Sequence, residues 1–396
     1  MQLEHTQAEQ RLRWIGIGRS SDADATRAGE EAARAAAQHD GAALAIVFAS
    51  DAYPLGTLLD TIRGVLGDTP VVGCSTAGEI ATDGPGDSGV VVFCLGGPGY
   101  AVTTGVATGA PRDLRAAGAG AAACIRELEP RAHRVLLLLT DGLAGDQQEV
   151  VRGAHSIAGS GVPLVGGCAG DDLKMRATFQ MHDGEVLQDA VVAAAIGSDA
   201  PIGIGVRHGW RPVGEPMLVT ASAGNRVFEL DDRPALDVYL ERLEAPASSA
   251  EDPAAFTRFA LTHPLGLSGR GTEPHVRFVG EADFEDRSLG CIASVPQGSL
   301  VWLMEGDACS VLEATDAACA DALAPLGEGR PQGLLAFDCI ARRGVLGDAG
   351  VGQEVARVAE RSGGAPVAGF YTYGEIARTH GTSGFHNQTL VVLAFG

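Results

Sequence analysis

The sequence predicts an α/β protein of two lobes, built from pseudo-repeated strand–helix–strand–helix–turn–strand units with a β-rich insert in the middle. Three observations predict it. A P-x-x-G…G-E turn is written at Pro70–Ile80 and again at Pro366–Ile376, with a degenerate copy at Pro163–Asp172. Each copy lies between two short apolar runs, the mark of buried strands. The stretch 198–298 breaks that pattern and is rich in β-branched residues, Gly and Pro.

The elements follow in order. Arg13–Ile17 reads as a strand and the Ala-rich stretch 24–38 as a helix. Leu44–Phe48 is the next strand; a helical pattern then leads to the first turn, and Val90–Leu95 closes the unit. The second unit runs through strand Tyr100–Val106, helix Pro111–Leu128, strand Val135–Leu139, the degenerate turn and strand Val191–Ile196. In that turn Asp171 stands for the Gly and Asp172 for the Glu. The third unit is expected to open with strand Ser299–Met304 and helix Ala308–Leu323, then strand Leu334–Phe337, the last turn and strand Leu390–Phe395. Within the insert, Pro234–Leu243 reads as a helix and Glu244–Asp252 as an exposed loop.

Length and composition suit a packed globular chain of two or three domains: 396 residues, 45% apolar and 20% charged. The net charge of −21 argues against nucleic acid or an anionic membrane as main partner, since either needs a basic surface. No apolar run is long enough for a membrane-spanning helix, and Met1–Thr6 is polar, so a cytoplasmic location is expected. The eight cysteines form no C-x-x-C, which points to reduced, buried thiols rather than disulfides or a structural zinc site.

The turn carries the chemistry. Its Gly permits positive φ, an acid follows at once, and Ser75, Thr76 or Thr372 can bond back to the turn's own backbone. Glu79 and Glu375 then either hold their turns together or face a pocket shared by related turns. The third copy has the fuller polar set: Cys339, Arg342, Tyr371, Tyr373, His386 and Asn387. Together these residues either bind an amino-acid-like ligand, with Arg342 taking its carboxylate, or form a buried ionic network. A pocket is expected at this copy rather than the middle one.

These same residues carry a family resemblance. The run Val71–Ile80, with Cys74, Ser75, Thr76 and Glu79, resembles the N-terminal FIST domain. Phe337–Arg342, Gly369–Ile376 and Phe385–Leu390 look like the C-terminal FIST domain, while His208–Gly214 and Gly224–Ala235 fit the family's middle. The resemblance divides the chain into a FIST N-like domain, 1–232, and a FIST C-like domain, 233–396. It implies an intracellular sensory module that binds a small molecule and signals through a separate partner, such as a kinase or a cyclic-dinucleotide enzyme. A structural, self-assembling role with the pseudo-repeats packing edge to edge is an alternative, and a homo-oligomer is among the expected partners. Some members bind haem, for which His208 and His386 are the candidate axial ligands; no other cofactor is implied. An enzymatic alternative would rest on Cys74, Cys168 or Cys339 as nucleophile, with His208, His380 or His386 as base. No G-x-S-x-G, P-loop or dinucleotide-binding glycine motif supports it.

Overall fold

The computed structural model describes residues 13–268, 275–379 and 383–396. His380 lies outside the described residues. The first unit comprises β1 (Trp14–Ser20), α1 (Ala25–Ala36), β2 (Ala42–Ala49), α2 (Leu55–Leu66), β3 (Val71–Ser75), a hairpin β4 (Glu79–Ala81) and β5 (Gly84–Gly86), and β6 (Val90–Gly96). The second repeats this order: β7 (Tyr100–Thr108), α3 (Leu114–Ala122), β8 (His133–Thr140), α4 (Gln147–Ala158), β9 (Leu164–Cys168), β10 (Gln180–His182), β11 (Glu185–Leu187) and β12 (Ala190–Ser198).

The third unit opens at β13 (Ile202–Arg207) and is then interrupted. The insert holds β14 (Arg211–Ala223), β15 (Arg226–Leu230), β16 (Arg233–Pro234), α5 (Ala235–Arg242), α6 (Pro253–Ala260) and β17 (Leu265–Leu267). It continues through β18 (His275–Arg277), β19 (Val279–Asp283), β20 (Ser288–Cys291) and β21 (Leu300–Glu305). The unit resumes with α7 (Ala308–Leu323), β22 (Gly333–Cys339), α8 (Ile340–Arg361), β23 (Val367–Thr372), hairpin β24 (Glu375–Arg378) and β25 (Phe385–His386), and β26 (Leu390–Phe395).

The mixed α/β fold is therefore as expected, but the third unit's opening strand is not. Ser299–Met304 falls on β21, which pairs with β14 and β17 inside the insert. β13 takes the opening place instead, antiparallel to β26 as β1 is to β6 and β7 to β12. Its glycines explain the choice. A Cβ on Gly203 or Gly205 would lie 1.9 or 1.8 Å from the carbonyl oxygens of Ala322 and Ala318 on α7. In unit 1, Gly16 and Gly18 meet Ala36 and Ala32 of α1 in the same way. The insert thus sits between the third unit's first strand and first helix, forming a smaller lobe with its own core around Tyr239, Phe256 and Leu303.

Three six-stranded sheets result, and each borrows a hairpin. Their orders are β1-β6-β2-β3-β10-β11, β7-β12-β8-β9-β24-β25 and β13-β26-β22-β23-β4-β5. Unit 2 lends its hairpin to unit 1, unit 3 to unit 2, and unit 1 to unit 3. The exchange is cyclic. One face of every sheet enters a common core, where Phe48 stacks on Phe370 at 4.8 Å and Phe337 meets both rings edge-on. The opposite faces are covered by helices α1–α2, α3–α4 and α7–α8. The repeated P-x-x-G glycine is a close-approach residue: a Cβ on Gly73, Gly166 or Gly369 would lie 2.4, 1.9 or 1.9 Å from a carbonyl oxygen of the neighbouring strand.

Candidate functional site

The exchange brings the three turns together in one repeating hydrogen-bond pattern. The N–H groups of Ser75, Cys168 and Tyr371 donate to the carbonyls of Phe179, Gly374 and Gly78, each on the incoming hairpin. Their own carbonyls accept from the N–H groups of Gly170, Tyr373 and Ala77. Ser75 adds a side-chain contact, donating to the Gly170 carbonyl at 2.6 Å.

The turn acids face their own hairpins. Thr76 donates to Glu79 Oε1 at 2.6 Å, and the Gly89 N–H donates to Oε2 at 3.0 Å. Thr372 donates to Glu375 Oε1, while Thr389 reaches Oε2 through both its N–H and its hydroxyl. As expected, Thr76 and Thr372 also bond back, accepting from the N–H groups of Gly78 and Gly374. Both acids are buried, and burial pushes Glu79 up to about 8 and Glu375 to about 7.

The middle copy needs a correction. Neither Asp171 nor Asp172 takes the acid's place. Gln180 does, pairing with Cys74 as Glu79 pairs with Phe370 and Glu375 with Gly167. Its Oε1 accepts the Ala190 N–H at 3.2 Å, the counterpart of the Gly89 and Thr389 bonds. The step from turn to acid takes four residues in units 1 and 3 (Ser75 to Glu79, Tyr371 to Glu375) and twelve in unit 2 (Cys168 to Gln180). The surplus lies within a loop, 171–179.

The polar set of the third copy is dispersed. Arg342 is fully buried, with Nε on Asp338 at 2.8 Å, Nη2 on Thr315 and Glu354, and Nη1 on the His208 carbonyl. Burial and the Glu354 charge push the Asp338 carboxyl well up, so it keeps its proton while Glu354 balances the arginine. This is the ionic network, and it leaves no free guanidinium for a ligand carboxylate. Tyr371 is buried nearby, and Asn387 is buried beside Gly374. Tyr373 instead reaches into unit 2, donating to Asp171 and accepting from the Leu173 N–H at 2.8 Å. Cys74, Cys168 and Cys339 are buried, and burial raises all three thiols, which keeps them in the unreactive protonated form.

A cavity of about 140 Å³ opens at the middle unit. It lies past the C-terminal ends of the parallel strands β8 and β9, the usual ligand end of such a sheet. Asp141, Ala144, Arg176, Thr178, Gln188 and Asp189 are among its lining residues. Asp141 is buried and accepts from the Thr178 hydroxyl at 2.7 Å and the Leu143 N–H at 2.9 Å. Arg176 is exposed and forms no ion pair among the described residues. Three residues beyond the matching positions Ser50, Asp141 and Cys339, units 1 and 3 carry the large Tyr53 and Arg342 where unit 2 has Ala144. That substitution leaves the space. None of the sequence-stated candidates lines this cavity; the extra length between Cys168 and Gln180 was the signal for it.

Haem fits these residues poorly. His208 and His386 are packed inside the protein, and burial lowers them to about 4 and about 3. The His208 Nδ1 accepts the Trp210 N–H, and the His275 ring stands 5.4 Å from that of His386. Neither histidine lines the cavity, which is smaller than the roughly 300–1,000 Å³ of drug-sized sites. No helix among the described residues is long and apolar enough to cross a membrane.

Comparison with known proteins finds relatives that match along nearly the whole chain. An uncharacterized protein of Mycobacterium tuberculosis is 26% identical over 399 residues, covering 96% of this chain and 99% of its own length. One from Mycobacterium bovis is 26% identical over 397 residues, covering 96% and 98%. One from Methanocaldococcus jannaschii is 30% identical over 154 residues, 37% of this chain and 30% of its own length. The FIST N domain model matches residues 43–233 and the FIST C domain model residues 235–378. The chain belongs to the FIST family, whose domains are recognised as sensory modules of signal transduction.

Proposed function

We propose that this protein is a non-catalytic, small-molecule-binding sensory module, that the unit 2 cavity is its ligand site, and that it signals to a separate partner such as a kinase or cyclic-dinucleotide enzyme. The observation that carries this reading is the cavity's lining, which brings two acidic residues, Asp141 and Asp189, around the same small space as Arg176. Both signs of charge in one small space suit an amino-acid-like zwitterion: carboxylates for the ammonium, a guanidinium for the carboxylate. The size suits it too, since a cavity of about 150 Å³ admits a benzene-sized molecule.

A thermal-shift screen over amino acids, nucleotides, organic acids and haem tests the proposal. An amino-acid-like compound is expected to stabilise the protein, by about 2.7 kcal/mol at a hundred times its Kd. Ala144→Tyr places in the cavity wall the residue that unit 1 carries at the matching position, Tyr53, and is expected to abolish that shift while the unliganded protein still melts cooperatively. A shift that survives Ala144→Tyr moves the site elsewhere; no shift with any amino acid removes the ligand class.

A further inference from the structure

The wall of the unit 2 cavity is built by unit 2 but held in place by its neighbours. Loop 171–179 supplies Arg176, Ala177 and Thr178 to the lining. Within it Asp172, Leu173 and Met175 hold φ of 53°, 61° and 52°, left-handed values that cost non-glycine residues energy. Something must hold them there. The Asp171 carboxylate accepts the N–H groups of Met175, Arg176 and Ala177 at 2.9, 2.6 and 3.1 Å. Asp171 is itself held by Tyr373, whose hydroxyl donates to Oδ1 and accepts the N–H groups of Asp171 and Leu173. Unit 1 adds two ties: the Ser50 hydroxyl donates to Asp172 at 3.0 Å and Lys174 pairs with Asp51 at 2.5 Å.

We propose that Tyr373, a residue of unit 3, is a positioning residue for the unit 2 cavity. Its hydroxyl fixes Asp171, Asp171 fixes the backbone of 175–177, and that backbone sets where Arg176 and Thr178 stand in the wall. The inference rests on the cavity being the ligand site and extends it. A ligand at Arg176 tightens the clasp to Tyr373, and movement between units 2 and 3 loosens the grip on the ligand. The exposed side chains of Leu173 and Met175 ride on the same loop, so its state is displayed at the surface.

The test uses the full-length protein with Tyr373→Phe, Asp171→Asn and the double variant. Trypsin cleavage after Lys174 and Arg176 reads the loop, and thermal melting reads the fold. Tyr373→Phe is expected to speed cleavage at these two sites at least tenfold with the melting temperature nearly unchanged. Because Tyr373 grips the loop mainly through Asp171 and adds directly only the Leu173 N–H, the double variant cleaves well below the product of the two single effects. For any L-amino acid that stabilises the wild type, Tyr373→Phe weakens binding by a similar factor. Unchanged cleavage in Tyr373→Phe, or additive effects in the double variant, overturns the positioning role. Faster cleavage with no amino acid bound by the wild type leaves the clasp standing and removes the proposed ligand instead.

Discussion

Replacing Arg342 with alanine is expected to lower the unfolding free energy by about 3–5 kcal/mol, the usual cost of leaving a buried charge without its partner. The side chain is fully buried and touches Asp338, Glu354, Thr315 and the His208 carbonyl. Without it, Glu354 faces Asp338 with no counter-charge in a site closed to water. The carboxylate must then take up a proton or draw water into the core. Replacing Arg342, Asp338 and Glu354 together with apolar residues of similar volume should restore most of the loss, because the penalty lies in the uncompensated charge. Urea unfolding of the single and triple variants measures both. A loss below about 1 kcal/mol in Arg342→Ala would mean that the network contributes little to the fold.

The second large effect is on the pH dependence of stability. Glu79 and Glu375 have folded-state values of about 8 and about 7, above the ordinary 4.5. Burial is the chief cause for both, and for Glu79 the charges of Asp172 and Asp87 add to it. The folded state therefore binds protons more tightly than the unfolded chain. The stability this gives is complete below the unfolded value near 4.5 and is lost as pH rises through 7 to 8. Each such group contributes a slope of up to about 1.4 kcal/mol per pH unit in that window. Unit 2 shows the remedy, since Gln180 occupies the same place without a charge. Glu79→Gln with Glu375→Gln is expected to match the wild type near pH 5, exceed it above pH 8 and flatten the slope between. Denaturation curves across that range decide it, and an unchanged slope would refute the assignment.

Much of this fold was written plainly in the sequence. The strands of units 1 and 2 and the glycine of each turn repeat because the backbone approaches are the same three times over. The missed opening strand was legible as well. Ile15-Gly16-Ile17-Gly18 recurs as Ile202-Gly203-Ile204-Gly205, but the insert separates the second copy from its helix. The equivalence of Gln180 to the two glutamates was harder to see, because eight extra residues displace it and only the strand register identifies it. The cavity depends on what is missing, a large side chain at Ala144, and on a loop whose path follows from Tyr373 two hundred residues away. The sequence shows the loop's extra length, but no local pattern shows the space at Ala144 or the path the loop takes.

The cyclic lending of hairpins also bears on how the protein is made. As the nascent chain emerges, β1, β2, β3 and β6 can assemble early, yet the outer edge of β3 waits for β10. The β4–β5 hairpin waits far longer, for β23; Thr82 and Val367, which bond across that junction, are 285 positions apart. Until then the first-made unit holds an unmet strand edge, open to pairing with other chains. Its folding is slow in the way all long-range strand pairing is slow. Translation stalled before β23 therefore leaves the first unit, not only the third, unfinished and prone to aggregate.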